Sequence, residues 1–255
     1  MVAASHDHLY ILSKLIGKDF KIRYRNMSLG IFWSLLNPLI MVAVLTYVFT
    51  QIYKSNIHSY PLFVLIGLIP FNFFTLAWAT GANSILDNAA LVKKVRFHRE
   101  VIPLSVVLGN VIHFLIQMLL LMLLIVAFGQ GVNRQWLWLP VVLGLEIIFV
   151  CGMALAFSAL DVYYRDIRYV VDSANLVLFW LVPIFYDFDD VPRDYRLLYE
   201  LNPVAAVVLA CRSIFLRATA PHETLVWKLT LVSFAALAVG LLLFGRMKRR
   251  FADYL

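Results

Sequence analysis

Apolar positions along this chain fall into six long runs separated by short polar stretches, and the period of the runs is that of neither a solvated strand nor a surface helix. About 20 consecutive apolar residues cross a bilayer as a helix. The qualifying stretches are Ile31–Tyr53, Tyr60–Ala82, Pro103–Phe128, Trp138–Leu160, Val171–Tyr186 and Leu225–Gly245, the fifth being short. A seventh apolar piece, Leu201–Phe215, is too short to cross and is interrupted at Asn202-Pro203. It reads as a re-entrant helical hairpin, a form tolerated in a membrane only where protein or a cavity covers the irregular backbone.

The one amphipathic stretch precedes the first run. In Leu9–Tyr24, Leu12, Ile16 and Phe20 form one stripe, while Lys14, Lys18, Lys21 and Arg25 lie on another face. That pattern predicts an interfacial helix on the membrane surface. Two roles remain open for it: a lipid anchor that sets topology, or a gate and contact helix touching a cytosolic partner through Lys18, Lys21, Arg23, Tyr24 and Arg25. The predicted fold class is an all-α membrane protein with six transmembrane helices, an N-terminal amphipathic helix and a re-entrant hairpin before the last span. The chain then forms a single transmembrane domain over 1–255, divided into an amphipathic helix (1–30), spans one to five (31–186), an outer hairpin (187–223), span six (225–245) and a tail (246–255).

Composition agrees with this division. The 255 residues are 62% hydrophobic, with a mean hydropathy of +0.83, well above a soluble domain. The net charge of +7 would suggest nucleic acid in a soluble protein; here its distribution points elsewhere. Residues 1–30 hold five of the 22 Lys and Arg, the second loop four (Lys93, Lys94, Arg96, Arg99), the fourth loop two (Arg165, Arg168) and the tail four (Arg246, Lys248, Arg249, Arg250). The positive-inside bias puts both termini in the cytoplasm, and no nucleic acid partner is expected. No charged n-region precedes a short apolar segment at the start, so a cleaved signal peptide is not expected. Cys151 and Cys211 have no CxxC neighbour, which argues against a metal or redox site.

Several segments carry candidate chemistry. Leu91-Val92-Lys93-Lys94-Val95-Arg96-Phe97 alternates apolar and basic residues in the middle of a polar, helical cytosolic segment, Asn83–Glu100. It suits a partner's groove, or a loop packed on its own domain. Arg165-Asp166, after the fourth run, reads as a helix cap or local ion pair, which by itself indicates little. Glu146 is the one carboxylate in mid-span, and intramembrane charge is costly. It reads as an interhelical hydrogen-bonding group facing Gln117, near His113, or as part of a proton relay. Aromatic residues cluster at Phe71, Phe73, Phe74 and Trp78, and again at Phe179, Trp180, Phe185 and Tyr186. Such rings can slide along sugar faces, pack a core or anchor at the interface.

Nucleotide, protease and hydrolase motifs are missing: there is no G-x-x-x-x-G-K-[ST], H-E-x-x-H or G-x-S-x-G. Any energy supply therefore falls to a separate subunit.

Five fragments in order carry a family resemblance. They are Arg23-Tyr24-Arg25 followed by Leu29-Gly30, Trp33 and Asn37-Pro38; Gly67-Leu68-Ile69-Pro70-Phe71; Lys93–Glu100; Tyr164-Arg165-Asp166-Ile167; and Leu201-Asn202-Pro203 with Arg212. Together they resemble the membrane subunit of ABC exporters for polysaccharides, the family of O-antigen, capsule and teichoic-acid permeases. The resemblance spans nearly the whole chain. It implies an inner-membrane homodimer bound to two copies of a cytosolic ATPase subunit, a lipid-linked glycan as substrate, and no cofactor in this chain, with ATP and Mg held by the partner. It also implies a coupling helix at about Leu91–Phe97, an N-terminal helix touching the ATPase, a path along the dimer interface, and an outer gate at the re-entrant hairpin. Phe71, Phe74, Trp78, Trp180, Phe185 and Tyr186 become candidate channel linings. His98 departs from the family pattern, standing where Pro is common. Charge alone sets Arg23 and Arg25 to meet a pyrophosphate headgroup. The chain's compactness favours O-antigen; the alternatives are an exporter of teichoic acid or capsule, or of a small lipid or drug. A polyprenyl-phosphate sugar enzyme would have to rest on the outer Asp187, Asp189, Asp190 and Asp194, which lack a basic clamp.

Overall fold

The computed structural model describes residues 59–94, 98–196 and 202–254, together with Tyr199 and scattered positions between 14 and 51. The described residues are helical, with no strand among them. The helices are α1 (Tyr60–Asp87), α2 (Ala89–Lys94), α3 (Val101–Ala127), α4 (Leu139–Tyr163), α5 (Ile167–Leu181), α6 (Pro203–Phe215), α7 (Glu223–Met247) and α8 (Phe251–Tyr254). Among the described residues, four helical stretches are long and apolar enough to cross a membrane: Tyr60–Asp87, Val101–Ala127, Arg134–Tyr163 and Glu223–Arg250. These correspond to the predicted second, third, fourth and sixth spans. The first predicted span and the amphipathic helix lie largely outside the described residues.

Helix α1 is the axis of the bundle. Its most apolar window is 78% buried, against 33% for α3 and 17% for α7. Packing in lipid relies on close van der Waals fit rather than on expulsion of water, and two devices supply it. One is aromatic stacking: Phe73 on Phe114 at 4.4 Å, Phe74 on Phe149 at 5.8 Å, and Trp78 edge-on to Phe157 at 5.1 Å. The other is backbone approach at small residues. A Cβ on Gly152 of α4 would lie 2.4 Å from the Ala236 carbonyl carbon, and one on Gly240 of α7 would lie 2.3 Å from the Gly152 oxygen. Only glycine at both positions lets these helices touch along their backbones.

The fifth predicted span is displaced. Val171–Tyr186 was the expected helix; the observed helix runs from Ile167 to Leu181 and is 15 residues long. It stops there because Pro183 follows Val182, and a residue before proline is driven to extended backbone, as Val182 is with φ −97° and ψ 130°. The 201–215 region also differs from a simple hairpin. Asn202-Pro203 starts a helix rather than interrupting one: the Asn202 side chain accepts hydrogen bonds from the Val204 and Ala205 amides, and proline is suited to the first helical turn. What precedes α6 among the described residues is a pair of short 3-10 turns, Phe188–Asp190 and Arg193–Tyr195.

Candidate functional site

Two ends of the bundle concentrate polar groups. At one, the polypeptide connecting α1 and α3 meets the C-terminal segment. Helix α1 ends at Asn88, whose Nδ2 donates to the Ser84 carbonyl at 2.9 Å, and α2 follows directly. Within the predicted coupling segment, Val92 is buried, Leu91 half-buried and Lys93 exposed. Val92 belongs to a small apolar cluster with Ile85, Ile102, Leu155, Ala159, Val162, Phe244 and Phe251. Its side chain therefore anchors α2 to the bundle, which leaves Lys93 as the outward group. Lys94 closes α2, and Val95, Arg96 and Phe97 lie outside the described residues, as do Lys18, Lys21, Arg23, Tyr24 and Arg25.

The C-terminal segment holds the far side of this loop. The Arg99 Nη1 donates to the Lys248 carbonyl at 2.6 Å, the Lys248 ammonium donates to the Glu100 carboxylate, and the Tyr163 hydroxyl donates to the Met247 carbonyl at 2.8 Å. Phe251 is fully buried under these bonds. Its ring lies edge-on to Phe244 at 5.4 Å, and the Arg99 guanidinium sits 5.8 Å above it. Burial pushes the Glu100 carboxyl up, but the hydrogen bond and charge of Lys248, together with a backbone hydrogen bond, outweigh it and hold the carboxyl below the usual carboxylate range. This clasp joins residues 84 to 149 positions apart and involves charges that the loop's own pattern presents as solvated. The sequence signal available for a docked tail is Phe251, an aromatic residue placed directly after Lys248-Arg249-Arg250.

At the opposite end, the non-helical bend 184–186 follows α5. Backbone carbonyls without partners are expensive inside a membrane, and here three in succession are satisfied by side chains. Arg212 of α6 donates to the Ile184 carbonyl at 2.7 Å and the Tyr186 carbonyl at 3.3 Å, and the Tyr60 hydroxyl donates to the Phe185 carbonyl at 3.2 Å. Arg212 is 5% exposed, and its guanidinium carbon lies 3.4 Å from the centroid of the Phe63 ring. Gly67 gives the bend room, since a Cβ there would lie 3.2 Å from Val208 and 3.4 Å from the Ile184 Cα. Arg212 and Gly67 were visible in the sequence as members of fragments but without this role.

The predicted channel aromatics divide. Phe71, Phe74, Trp78 and Phe185 are buried inside the single chain, Tyr186 is half-buried and Trp180 is exposed. Phe179 joins Phe71, Trp180 and Phe185 in one cluster, with ring centroids 5.7, 5.3 and 5.2 Å away. Helix α5 displays an outward face of Tyr169, Asp172, Ser173, Leu176, Val177 and Trp180, with Val171 its one fully buried residue.

Two expectations fail. Both Glu146 carboxylate oxygens are buried with no hydrogen-bond partner among the described residues, so Glu146 does not bond to Gln117. Gln117 lines a small crevice with Leu39, Leu65 and Leu121 instead. Asp166 occupies the N-cap position of α5 but its side chain caps nothing, and it forms no ion pair with Arg165 in the structure; the turn is held by backbone bonds from Tyr169 and Val170 to the Asp166 carbonyl.

The sequence comparisons complete the picture. The chain is 30% identical over 246 residues to an O-antigen export system permease protein RfbA of Klebsiella pneumoniae, covering 96% of this chain and 95% of that one. It is 28% identical over 255 residues to the protein of the same description from Myxococcus xanthus, covering 99% and 98%. It is 24% identical over 236 residues to the polysialic acid transport protein KpsM of Escherichia coli, covering 89% of each. A family model described as ABC-2 type transporter matches residues 12–216. The chain belongs to the ABC-2 type transporter family of membrane proteins.

Proposed function

We propose that this chain is the permease subunit of an ATP-driven ABC transporter that exports a lipid-linked polysaccharide, an O-antigen, across the cytoplasmic (inner) membrane. The observation that carries the substrate class is similarity along 95% or more of both chains to permeases named for O-antigen export in two bacteria. As an ABC-2 family member the chain is a transporter membrane subunit rather than an enzyme. On this reading two copies pair, and each docks a cytosolic ATPase subunit that binds ATP and Mg. Residues 31–53 and α5 complete six spans, the termini lie in the cytoplasm, and α6 with the bend before it forms the outer gate.

The outward face of α5 supports this reading. A long, polar, flexible glycan must be bound weakly at many points, or it would stall. A face that mixes Tyr169 and Trp180 with Asp172 and Ser173 offers ring surfaces and scattered hydrogen bonds without a fixed charge cluster. The aromatic residues inside the protomer then act as the rigid backing of that wall. At the other end, the exposed Lys93 on a bundle-anchored α2 is the docking surface for the ATPase.

Deleting the chain in its own cell is the test. The expected result is loss of surface polysaccharide, with the lipid-linked glycan accumulating on the inner leaflet and export restored by the intact chain. Normal surface glycan in the deletion strain would overturn the reading.

A further inference from the structure

A cavity of about 300 Å³ opens beside the bend, between α6, α7 and the 3-10 turn at Phe188. Its polar lining is dominated by cations: Arg212 from α6, Arg217 just beyond it and Lys228 from α7, with Ser213 and Thr224 as hydroxyl groups. The single carboxylate in the lining, Asp187, already accepts from Arg217 at 3.4 Å, and Asp189, outside the lining, lies 3.8 Å from the same guanidinium. Arg212 is 95% buried by the fold. Its two Nη groups are committed to backbone carbonyls, and its Nε has no partner among the described residues. It makes no ion pair among them either. A buried guanidinium that faces an aromatic ring and neutral carbonyls, with Asp187 the one carboxylate acting on it and that carboxylate already paired with Arg217, is short of negative charge. Of the remaining lining, His222 pairs through its Nδ1 with the Thr224 Oγ1 at 2.8 Å, and Phe188, Leu209 and Leu225 are apolar.

A site with excess positive charge, two hydroxyl groups and apolar sides suits an anion carried on an amphiphile. We propose that this cavity binds a phosphate group. Phosphate offers several acceptor oxygens to guanidinium and ammonium donors together, which a lone carboxylate cannot match in number; the Ser213 hydroxyl already donates to the Leu209 carbonyl, so the charged groups carry the recognition. The phosphate can come from a bilayer lipid headgroup or from a polyprenyl-linked saccharide; the chemistry recognised is the same. The phosphate site stands on this chain's own residues, and only its polyprenyl-linked source rests on the exporter reading.

The test titrates inorganic pyrophosphate into the purified full chain in a phosphate-free maltoside detergent, followed by calorimetry. Two doubly neutralised variants are compared. Arg217→Gln/Lys228→Gln alters the cavity, whereas Arg249→Gln/Arg250→Gln removes the same charge from the exposed tail turn at the other end. Arg212 is left intact because it holds the bend. Saturable binding is expected, weakened about tenfold or more by the cavity pair and unchanged by the tail pair. If the cavity pair fails to fold, Lys228→Gln alone is expected to weaken binding in the same direction. No saturable binding, or equal loss in both pairs, would overturn the proposal. Native mass spectrometry of chain extracted from its membranes separates the sources by adduct mass. A glycerophospholipid or a polyprenyl-linked adduct, lost with the cavity pair, supports the site; an adduct of unchanged occupancy contradicts it.

Discussion

Truncating Phe251 to alanine should release the C-terminal segment and, with it, the loop that leads into α3. Phe251 is fully buried, and α8 is only four residues long, far too short to persist as a helix on its own. The tail is therefore held by Phe251 and by three polar ties: Tyr163 to the Met247 carbonyl, Arg99 to the Lys248 carbonyl, and Lys248 to Glu100. Deleting a buried phenylalanine ring costs about 3–5 kcal/mol, whereas a neutral hydrogen bond contributes about 0.5–1.5 kcal/mol and a charge-assisted one about 1.5–3 kcal/mol. The ring thus outweighs any single tie. Its loss shifts the docking equilibrium by about two to four orders of magnitude. Amide exchange read by mass spectrometry on the full chain in detergent checks this. Exchange should accelerate in residues 247–254 and also in 98–104, where the Val101, Ile102 and Leu104 amides are bonded within the turn. The α1–α3 core around Phe73 and Phe114 should be unchanged. Faster exchange in the tail with no change in 98–104 would refute the reasoning that the tail holds the loop.

Three further outcomes are expected. Gly152→Ala puts a Cβ within 2.6 Å of three backbone atoms of α7 and should destabilise the chain by about 1–3 kcal/mol; Gly144→Ala on the same helix, which meets nothing within 4 Å, should be neutral or stabilising in the same thermal denaturation series. Glu146→Met replaces a buried carboxyl that has no hydrogen-bond partner among the described residues, so the thermal midpoint in detergent should stay level or rise. The Glu100 carboxyl is held low by Lys248, so the clasp's stability is present above the carboxyl's unfolded value and falls as pH drops through its folded value; exchange protection of residues 247–254 should decline on acidification in the wild type and lose that dependence in Glu100→Gln.

The spans that were legible in the sequence are those where apolar length alone decides. Pro103–Phe128 matches α3 to within two residues at either end, and Tyr60–Ala82 falls short of α1 by five residues at its C-terminus, because polar residues such as Asn83 and Ser84 continue the helix beyond the apolar stretch. The fifth span was misplaced because hydropathy does not register Pro183, whose effect is on backbone geometry, or the start of α5 at Ile167 among polar neighbours. Asn202-Pro203 has the local chemistry of a helix start, which hydropathy alone cannot tell from a break within an apolar run. Neither the Arg212 hold on the bend nor the tail clasp has a periodic signature, since each joins side chains to backbone carbonyls across long separations. Val92 shows a subtler limit. An apolar residue in a basic loop is compatible with a partner's groove or with its own bundle, and only its burial against Ile85 and Phe251 decides for the bundle.

The central claim is that this chain works as the membrane half of an ATP-driven exporter. Affinity purification of the full chain from native membranes in mild detergent, with co-purifying proteins identified and ATP hydrolysis assayed, tests it most directly. The account expects a stoichiometric ATPase subunit, weakened in its association when Lys93→Glu reverses the exposed charge on α2. A chain that purifies alone, with no nucleotide-binding partner and no ATP hydrolysis, would contradict it.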